Sequence, residues 1–537
     1  MTTFDPHYYP YPSRRTCTYA SRGMVATSQP LAAQAGLEML KRGGNAVDAA
    51  LAAAISLTVL EPTSNGIGGD LFALVWSGGK LHGLNGSGPA PQGLSIDVLK
   101  ARGYQTIPTF GIVPLTVPGA PASWAELSRK LGRLPFAELF GPAIEYAEKG
   151  YPVSPTLGTL FEYEFTKYNK LEKGPEFEQL YTTFAPDGRY PVTGQSIRLP
   201  HHASTLRSIA QSNAKAFYHG ELAEKIDAFV RQHGGFLTKE DLAAFAPEWV
   251  DPIHVRYRDY EVWEIPPNGQ GMVALMALNV LNRLNITGRD QLDTNHKQIE
   301  AIKLAFADGL EYVTDSRNMK VSTSDLLSDA YAEERAALIG DMAHEPVPGQ
   351  PPRGGTVYVA AADEEGQMIS LIQSNYMGFG SGVVIPDTGI AMQNRAADFS
   401  LDDTKANALA PGKRTYHTII PGFLTKGGEP VGPFGIMGAY MQPQGHVQLI
   451  MNTIDFHMNP QAALDAPRWQ WKQGKTVDLE PGFPDHLAQA LQRKGHHITR
   501  NLSSLSFGRG QIIWRNPDGQ GYVGGTESRT DGHIAVW

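Results

Sequence analysis

The stretch from Asn45 to Leu60 constrains the fold more than any other part of the chain. Asn45 stands where a helix N-cap belongs and Glu61-Pro62 closes the far end. Between them runs Ala46-Val-Asp-Ala-Ala-Leu-Ala-Ala-Ala-Ile-Ser-Leu-Thr-Val-Leu60, nearly all apolar. A helix that is apolar on every side has no face to give to water, so it belongs inside a layered fold. The apolar run from Ala49 to Leu60 is too short to span a bilayer. A chain of 537 residues is long enough to bury such an element. Upstream, Pro30 to Arg42 has helical apolar spacing and ends at Gly43-Gly44, a plausible C-cap.

Bulk composition narrows the partners. Hydrophobic residues make up 42% and charged residues 19%, a globular balance. The net charge is −8 and no long basic run is present, so a nucleic-acid partner has no electrostatic footprint. Cys17 is the single cysteine, which rules out an internal disulfide framework. Met1-Thr-Thr-Phe-Asp-Pro has neither a basic nor an apolar signal-peptide region. Arg14-Arg15 is followed by polar Thr16-Cys17-Thr18, unlike a twin-arginine signal. The expectation is a cytoplasmic protein with no membrane partner.

Farther along, the glycine-dense loop Thr63-Ser-Asn-Gly-Ile-Gly-Gly-Asp70 leads into a strand from Leu71 to Trp76. Helical spacing recurs over Ala122–Leu131, Pro142–Lys149 and His296–Thr314. Pro346 to Gly355 reads as an exposed linker rich in Pro and Gly. After it, Thr356-Val-Tyr-Val-Ala-Ala-Ala362 is strand-like, Asp363-Glu-Glu-Gly366 supplies a turn, and Gln367 to Ser374 reads as the return strand. By itself, Thr356 after Gly354-Gly355 is only a β-branched residue entering a strand.

The order of several segments adds more. Gly23-Met-Val-Ala-Thr-Ser-Gln-Pro-Leu-Ala, Gly43-Gly-Asn-Ala-Val-Asp-Ala-Ala, Glu61 to Asp70, Thr116-Val-Pro-Gly and Tyr151-Pro-Val-Ser resemble the N-terminal half of γ-glutamyltransferases. The hairpin at Thr356, Phe379-Gly-Ser-Gly and Asn394-Arg-Ala-Ala-Asp-Phe resemble the small-subunit half, in the same order. The resemblance implies an N-terminal-nucleophile hydrolase, a four-layer αββα sandwich of mixed α and β structure. Length alone suggests about three or four domains. The resemblance instead implies one domain built from two intertwined fragments, 1–355 and 356–537, released when the chain cuts itself between Gly355 and Thr356. Each fragment is then the other's partner.

That chemistry suits these residues. Thr356 Oγ can attack the Gly355 carbonyl, and the freed α-amino group, with a reference pKa of about 7.7–8.0, can serve as base toward its own hydroxyl. Gly355 lets the peptide at the cut adopt a strained, exposed geometry. By the resemblance, Gly438 and Ala439 in Gly435-Ile-Met-Gly-Ala-Tyr440 occupy the place of a Gly-Gly pair whose N–H groups form the oxyanion hole. Ser374 stands where the family has a supporting threonine.

The substrate pocket departs from the family. Asn85 replaces the arginine that clamps the glutamate α-carboxylate, His417-Thr418 replace paired serines, and Tyr376 replaces an asparagine. Of two adjacent aspartates only Asp398 remains, after Ala397, and a glutamine becomes Arg395. Without the bidentate arginine a γ-glutamyl clamp is weakened. Arg395 supplies either a new cation for a small acid or a surface ion pair with Asp398.

These departures resemble the oxamate amidohydrolase branch, which implies hydrolysis of small carboxylate amides such as oxamate, giving oxalate and ammonia. The alternatives are a γ-glutamyltransferase or glutathione hydrolase, a cephalosporin-type acylase with a larger apolar pocket, and an uncleaved binding protein. No cofactor or metal is expected. P-loop, His-Glu-x-x-His and EF-hand patterns are absent from the sequence, Gly66-Ile-Gly-Gly lacks a third fingerprint glycine, and the pairs His201-His202 and His496-His497 have no ligand spacing. Met437 to His446 is expected to shape the pocket wall, with His446 packed in the core.

Overall fold

A computed structural model describes Tyr11 and residues 15–171, 174–346, 355–517 and 520–537. Residues 1–10 and 12–14, and residues 347–354 of the Pro346–Gly355 linker, lie outside the described residues.

The Asn45 helix forms as its sequence demands. It spans Ala46–Leu60 with every residue buried, and Asn45 and Asp48 close a reciprocal capping box at its start. Pro30–Lys41 precedes it, ending at Arg42. Ala120–Leu131, Gly141–Lys149 and Leu292–Tyr312 realise the other expected helices with shifted starts. The last begins four residues before His296 because Leu292 to Asn295 continue the turn. Among the described residues, no helix is long and apolar enough to cross a membrane.

Two seven-stranded antiparallel sheets form the centre. One runs, by adjacency, His533–Val536, Met24–Thr27, Gly355–Ala362, Met368–Tyr376, Asp70–Ser77, Lys80–Gly86, Glu248–Val250. The other runs Thr18–Ala20, Tyr522–Thr526, Arg509–Arg515, Glu429–Met437, Gly422–Lys426, Tyr260–Glu264, Ile253–Tyr257. The helices Pro30–Lys41 and Ala46–Leu60 cover the outer face of the first sheet, and Gly271–Leu281 and Met441–Ile454 cover the second. The result is the αββα sandwich.

The strand after the linker explains its own composition. Val357, Val359 and Ala361 face the Ala46–Leu60 side, while Tyr358, Ala360 and Ala362 face the inter-sheet layer with Phe72, Ile372, Phe423, Met437 and Ile513. Alternate side chains point to opposite faces and both faces are covered, so the strand is apolar throughout instead of alternating.

Candidate active site

Register brings the candidate residues together. The hairpin strands Gly355–Ala362 and Met368–Tyr376 pair Gly355 with Tyr376 and Val357 with Gln373, leaving an irregularity at Thr356 between them. The return strand carries the extra residue there, Ser374 and Asn375 together opposing Thr356, and the Thr356 hydroxyl donates to Ser374 Oγ at 3.3 Å. Ser374 Oγ also accepts the Tyr376 N–H at 2.8 Å. On the next strand Ser374 lies opposite Asp70. The Thr356 side chain is 1% exposed, inside a sheet covered on both faces, while the linker expected to be exposed lies outside the described residues.

The glycine-dense loop before Asp70 has a packing reason. A Cβ on Gly69 would lie 2.6 Å from the Ser374 carbonyl oxygen, so only glycine lets the loop cross the end of the hairpin.

Gly438 and Ala439 follow the strand Glu429–Met437, on the facing sheet. Both have positive φ, +135° and +50°, and that conformation is a strain for Ala439. Among the described residues neither N–H donates a hydrogen bond to the backbone or to a side chain. Gln270 fixes the loop from behind: its Nε2 donates to the Ala439 carbonyl at 2.9 Å and to the Thr418 carbonyl at 2.5 Å. The helix Met441–Ile454 begins directly after it, adding the positive end of its dipole.

Arg395 is completely buried, so the surface ion pair does not exist; the pair with Asp398, at 3.5 Å, is an interior one. The strand-to-turn geometry folds Arg395 under Tyr376, with the guanidinium 4.2 Å from the ring centroid. Its Nη1 donates to Thr418 Oγ1 at 2.8 Å, while Nε and Nη2 are buried without a hydrogen-bond partner. Asp398 accepts from the Tyr376 hydroxyl at 2.5 Å and the Tyr440 hydroxyl at 3.4 Å. Burial pushes the Asp398 carboxyl up to about 6, against the opposing pull of Arg395 and these hydroxyls.

His417 Nε2 meets Asp70 Oδ2 at 2.9 Å, and its Nδ1 accepts the Ile419 N–H at 3.4 Å. Burial, with Arg395 and Arg414 nearby, pushes the imidazole well below its usual pKa, so it is neutral and donates to Asp70. Burial pushes Asp70 up to about 7, offset by Arg395, Gln393 and the N–H groups of Gly88 and Gly119. Sequence reasoning passed over Asp70, Gln270 and Gln393, whose roles come from contacts between distant segments.

Asn85 adjoins this cluster through Asn268, whose carbonyl accepts the His417 N–H at 2.9 Å. Asn85 Oδ1 accepts from the Ser87 N–H and hydroxyl, and its Nδ2 donates to Asn268 at 3.0 Å. That leaves it positioning the loop that carries Asn268.

A cleft of about 350 Å³ reaches this region, with Met377, Gly378, Gly438 and Tyr440 on its wall. Phe110, Leu160 and Tyr163 add apolar surface, and Lys167, Lys472 and Arg509 add charge. Of the Met437–His446 segment, Gly438 and Tyr440 shape this wall. His446 is packed in the core between Glu264, at 2.6 Å, and the Ile436 N–H.

Of the histidine pairs, His201 and His497 are exposed, and His202 is packed, its pKa pushed down to about 3 by burial. His496 is different. Its Nε2 lies 2.8 Å from His296 Nδ1, and with Glu300 the two make a set that can hold a metal ion. The Lys303 ammonium already supplies Glu300 with a cation at 2.6 Å.

A threonine near the head of a central strand of an αββα sandwich, hydrogen-bonded to Ser374, fits an amide hydrolase of the N-terminal-nucleophile class, made as a proenzyme. Comparison with known proteins agrees. The family described as Gamma-glutamyltranspeptidase matches residues 32–537, and the chain belongs to that family. It is 35% identical to the glutathione hydrolase-like YwrD proenzyme of Bacillus subtilis, over 95% of this chain and 98% of that protein. It is 34% identical to the oxamate amidohydrolase proenzyme of Klebsiella pneumoniae, over 96% and 98%. The crystal structure of cephalosporin acylase from Bacillus halodurans superposes with a TM-score of 0.95 at 61% identity, covering 99% of each chain.

Proposed function

We propose that the chain cuts itself between Gly355 and Thr356, and that the resulting heterodimer of residues 1–355 and 356–537 is an acylase for amides large enough to fill the cleft. In maturation, Thr356 Oγ adds to the Gly355 carbonyl carbon and the C–N bond breaks, leaving an ester. Water hydrolyses that ester, giving the Gly355 carboxylate and a free Thr356 amine. In turnover the amine takes the Oγ proton as Oγ attacks the substrate carbonyl. Gly438 and Ala439 N–H groups donate to the oxyanion, and Ser374 holds Oγ in place. Collapse of the intermediate expels the amine product, which carries off the proton, and water then releases the acyl group.

The observation that carries the substrate class is the cleft of about 350 Å³ with Gly438 on its wall. Oxamate, with six heavy atoms, would leave most of it empty. The similarity to a cephalosporin acylase supports the same reading. The processed protein should hydrolyse amides with an extended acyl arm, read as amine release, faster than oxamate at equal concentration. Turnover of oxamate with no turnover of any extended amide would reverse the reading.

A second reading, a small carboxylate amide such as oxamate, is favoured by one feature: Arg395 has two buried nitrogens without partners. A γ-glutamyl substrate draws no such support, since Asn85 spends its amide on Ser87 and Asn268.

A further inference from the structure

Arg509 opens the strand Arg509–Arg515 and pairs in register with Met437, the residue before Gly438. The sheet therefore fixes its backbone beside the candidate oxyanion loop. The side chain lines the cleft and is only 7% exposed. Among the described residues its guanidinium makes no hydrogen bond and no ion pair, and Nη1 is buried without a partner.

The other cations on the cleft are occupied: Lys167 pairs with Glu164, and Lys472 donates to Gln470 Oε1 at 3.3 Å. The acids facing Arg509 are Glu61, Glu527 and Asp531. Glu527 is already held by Arg468 and Arg529. Burial pushes Glu61 up to about 7, which weakens it as a counter-ion at neutral pH. A guanidinium is a five-donor cation at any relevant pH, and burying it with nothing to bind is costly unless a ligand completes it.

We infer that Arg509 binds a carboxylate on the substrate, in the two-pronged fashion guanidinium permits, so that the amide hydrolysed carries a free carboxylate on an apolar arm lying against Phe110, Leu160 and Met377. The inference rests on the cleft being the substrate pocket of the proposed acylase.

The test is binding of hexanoate and its neutral isostere hexanamide to the processed protein by calorimetry. Wild type is expected to bind hexanoate at least about tenfold more tightly, the scale of a charge-assisted hydrogen bond. Arg509→Gln is expected to abolish that preference, Arg509→Lys to keep part of it, and Lys472→Gln to keep it. Equal binding of the two probes by wild type overturns the inference, as does a preference that survives in Arg509→Gln. Loss of preference in Lys472→Gln to the same extent also overturns it, by showing a diffuse field. If Arg509→Gln fails to fold, Arg509→Lys decides, because it keeps the charge and loses the fork; an undiminished preference there counts against the site. Anilides with an acyl arm ending in carboxylate or carboxamide separate this inference from the acylase reading. Hydrolysis of neither, with an Arg509-dependent hexanoate preference intact, removes the acylase and leaves the anion site.

Discussion

Thr356 donates its hydroxyl hydrogen bond to Ser374 at 3.3 Å across a bulge in the central hairpin. The interaction depends on register: Gly355 opposes Tyr376 and Val357 opposes Gln373, so the extra residue lies on the return strand and Ser374 and Asn375 share Thr356 as their opposite. A one-residue slip would turn the threonine to the other face of the sheet.

Replacing the nucleophile gives the first prediction. Thr356→Ala should remain a single chain of 537 residues with no amidase activity, while wild type yields fragments 1–355 and 356–537 by intact mass. Cleavage of the alanine variant at the same bond would remove Thr356 from the mechanism.

Ser374→Ala should slow self-cleavage by roughly 10- to 100-fold, the worth of one hydrogen bond in an enclosed site. Part of the loss comes from the Tyr376 N–H, which Ser374 also holds at 2.8 Å. Ser374→Thr keeps the hydroxyl and should restore most of the rate. Time courses of cleavage on gels measure both, and a silent Ser374→Ala would dismiss the support role.

Gln270 never needs to touch substrate, yet it holds the carbonyls of Ala439 and Thr418. Gln270→Ala should let the strained loop relax and lower kcat by about 10- to 100-fold with a smaller change in KM. An effect confined to KM would contradict a loop-positioning role.

Asp398 predicts a pH dependence of stability. Its carboxyl titrates at about 6 in the folded protein against an ordinary value of 3.8, so between these values the folded state keeps a proton that the unfolded state has released. Stability from this group is present below about 4 and is lost as pH rises through about 6. The Tm of wild type should therefore fall relative to Asp398→Asn across that window and run parallel above it. A wild type that gains on the variant over the same range would mean that Arg395 outweighs burial.

How much of this was readable in the sequence depended on the distance over which each signal acts. The Ala46–Leu60 helix and the 355–376 hairpin were legible because caps, turn residues and apolar spacing are local. Motif order singled out Thr356, Ser374, Gly438 and Ala439, and the structure places Thr356 beside Ser374, while the burial of the Thr356 side chain depends on what covers the sheet and no local pattern announces it. Asp70 meets His417 across 347 positions, and no local pattern announces such a contact. For Arg395 the sequence left open a substrate cation or a surface ion pair with Asp398, because its Tyr376 and Thr418 partners lie on other turns of the chain. Asn85 was singled out by its place in the family pattern, and its hydrogen bonds to Ser87 and Asn268, 183 positions away, were not legible because they form only on folding.

The interleaving of the two sheets has a kinetic consequence. Segments upstream and downstream of Gly355 contribute strands to both, with Gly355–Ala362 lying between Met24–Thr27 and Met368–Tyr376. The uncut chain reaches this arrangement in a unimolecular reaction. Once the bond is broken, the same arrangement can be regained from the denatured state only by an encounter of two molecules, at a rate that depends on concentration. If the chain matures by the proposed cut, maturation acts as a ratchet, and dilute denatured heterodimer should refold far less well than Thr356→Ala.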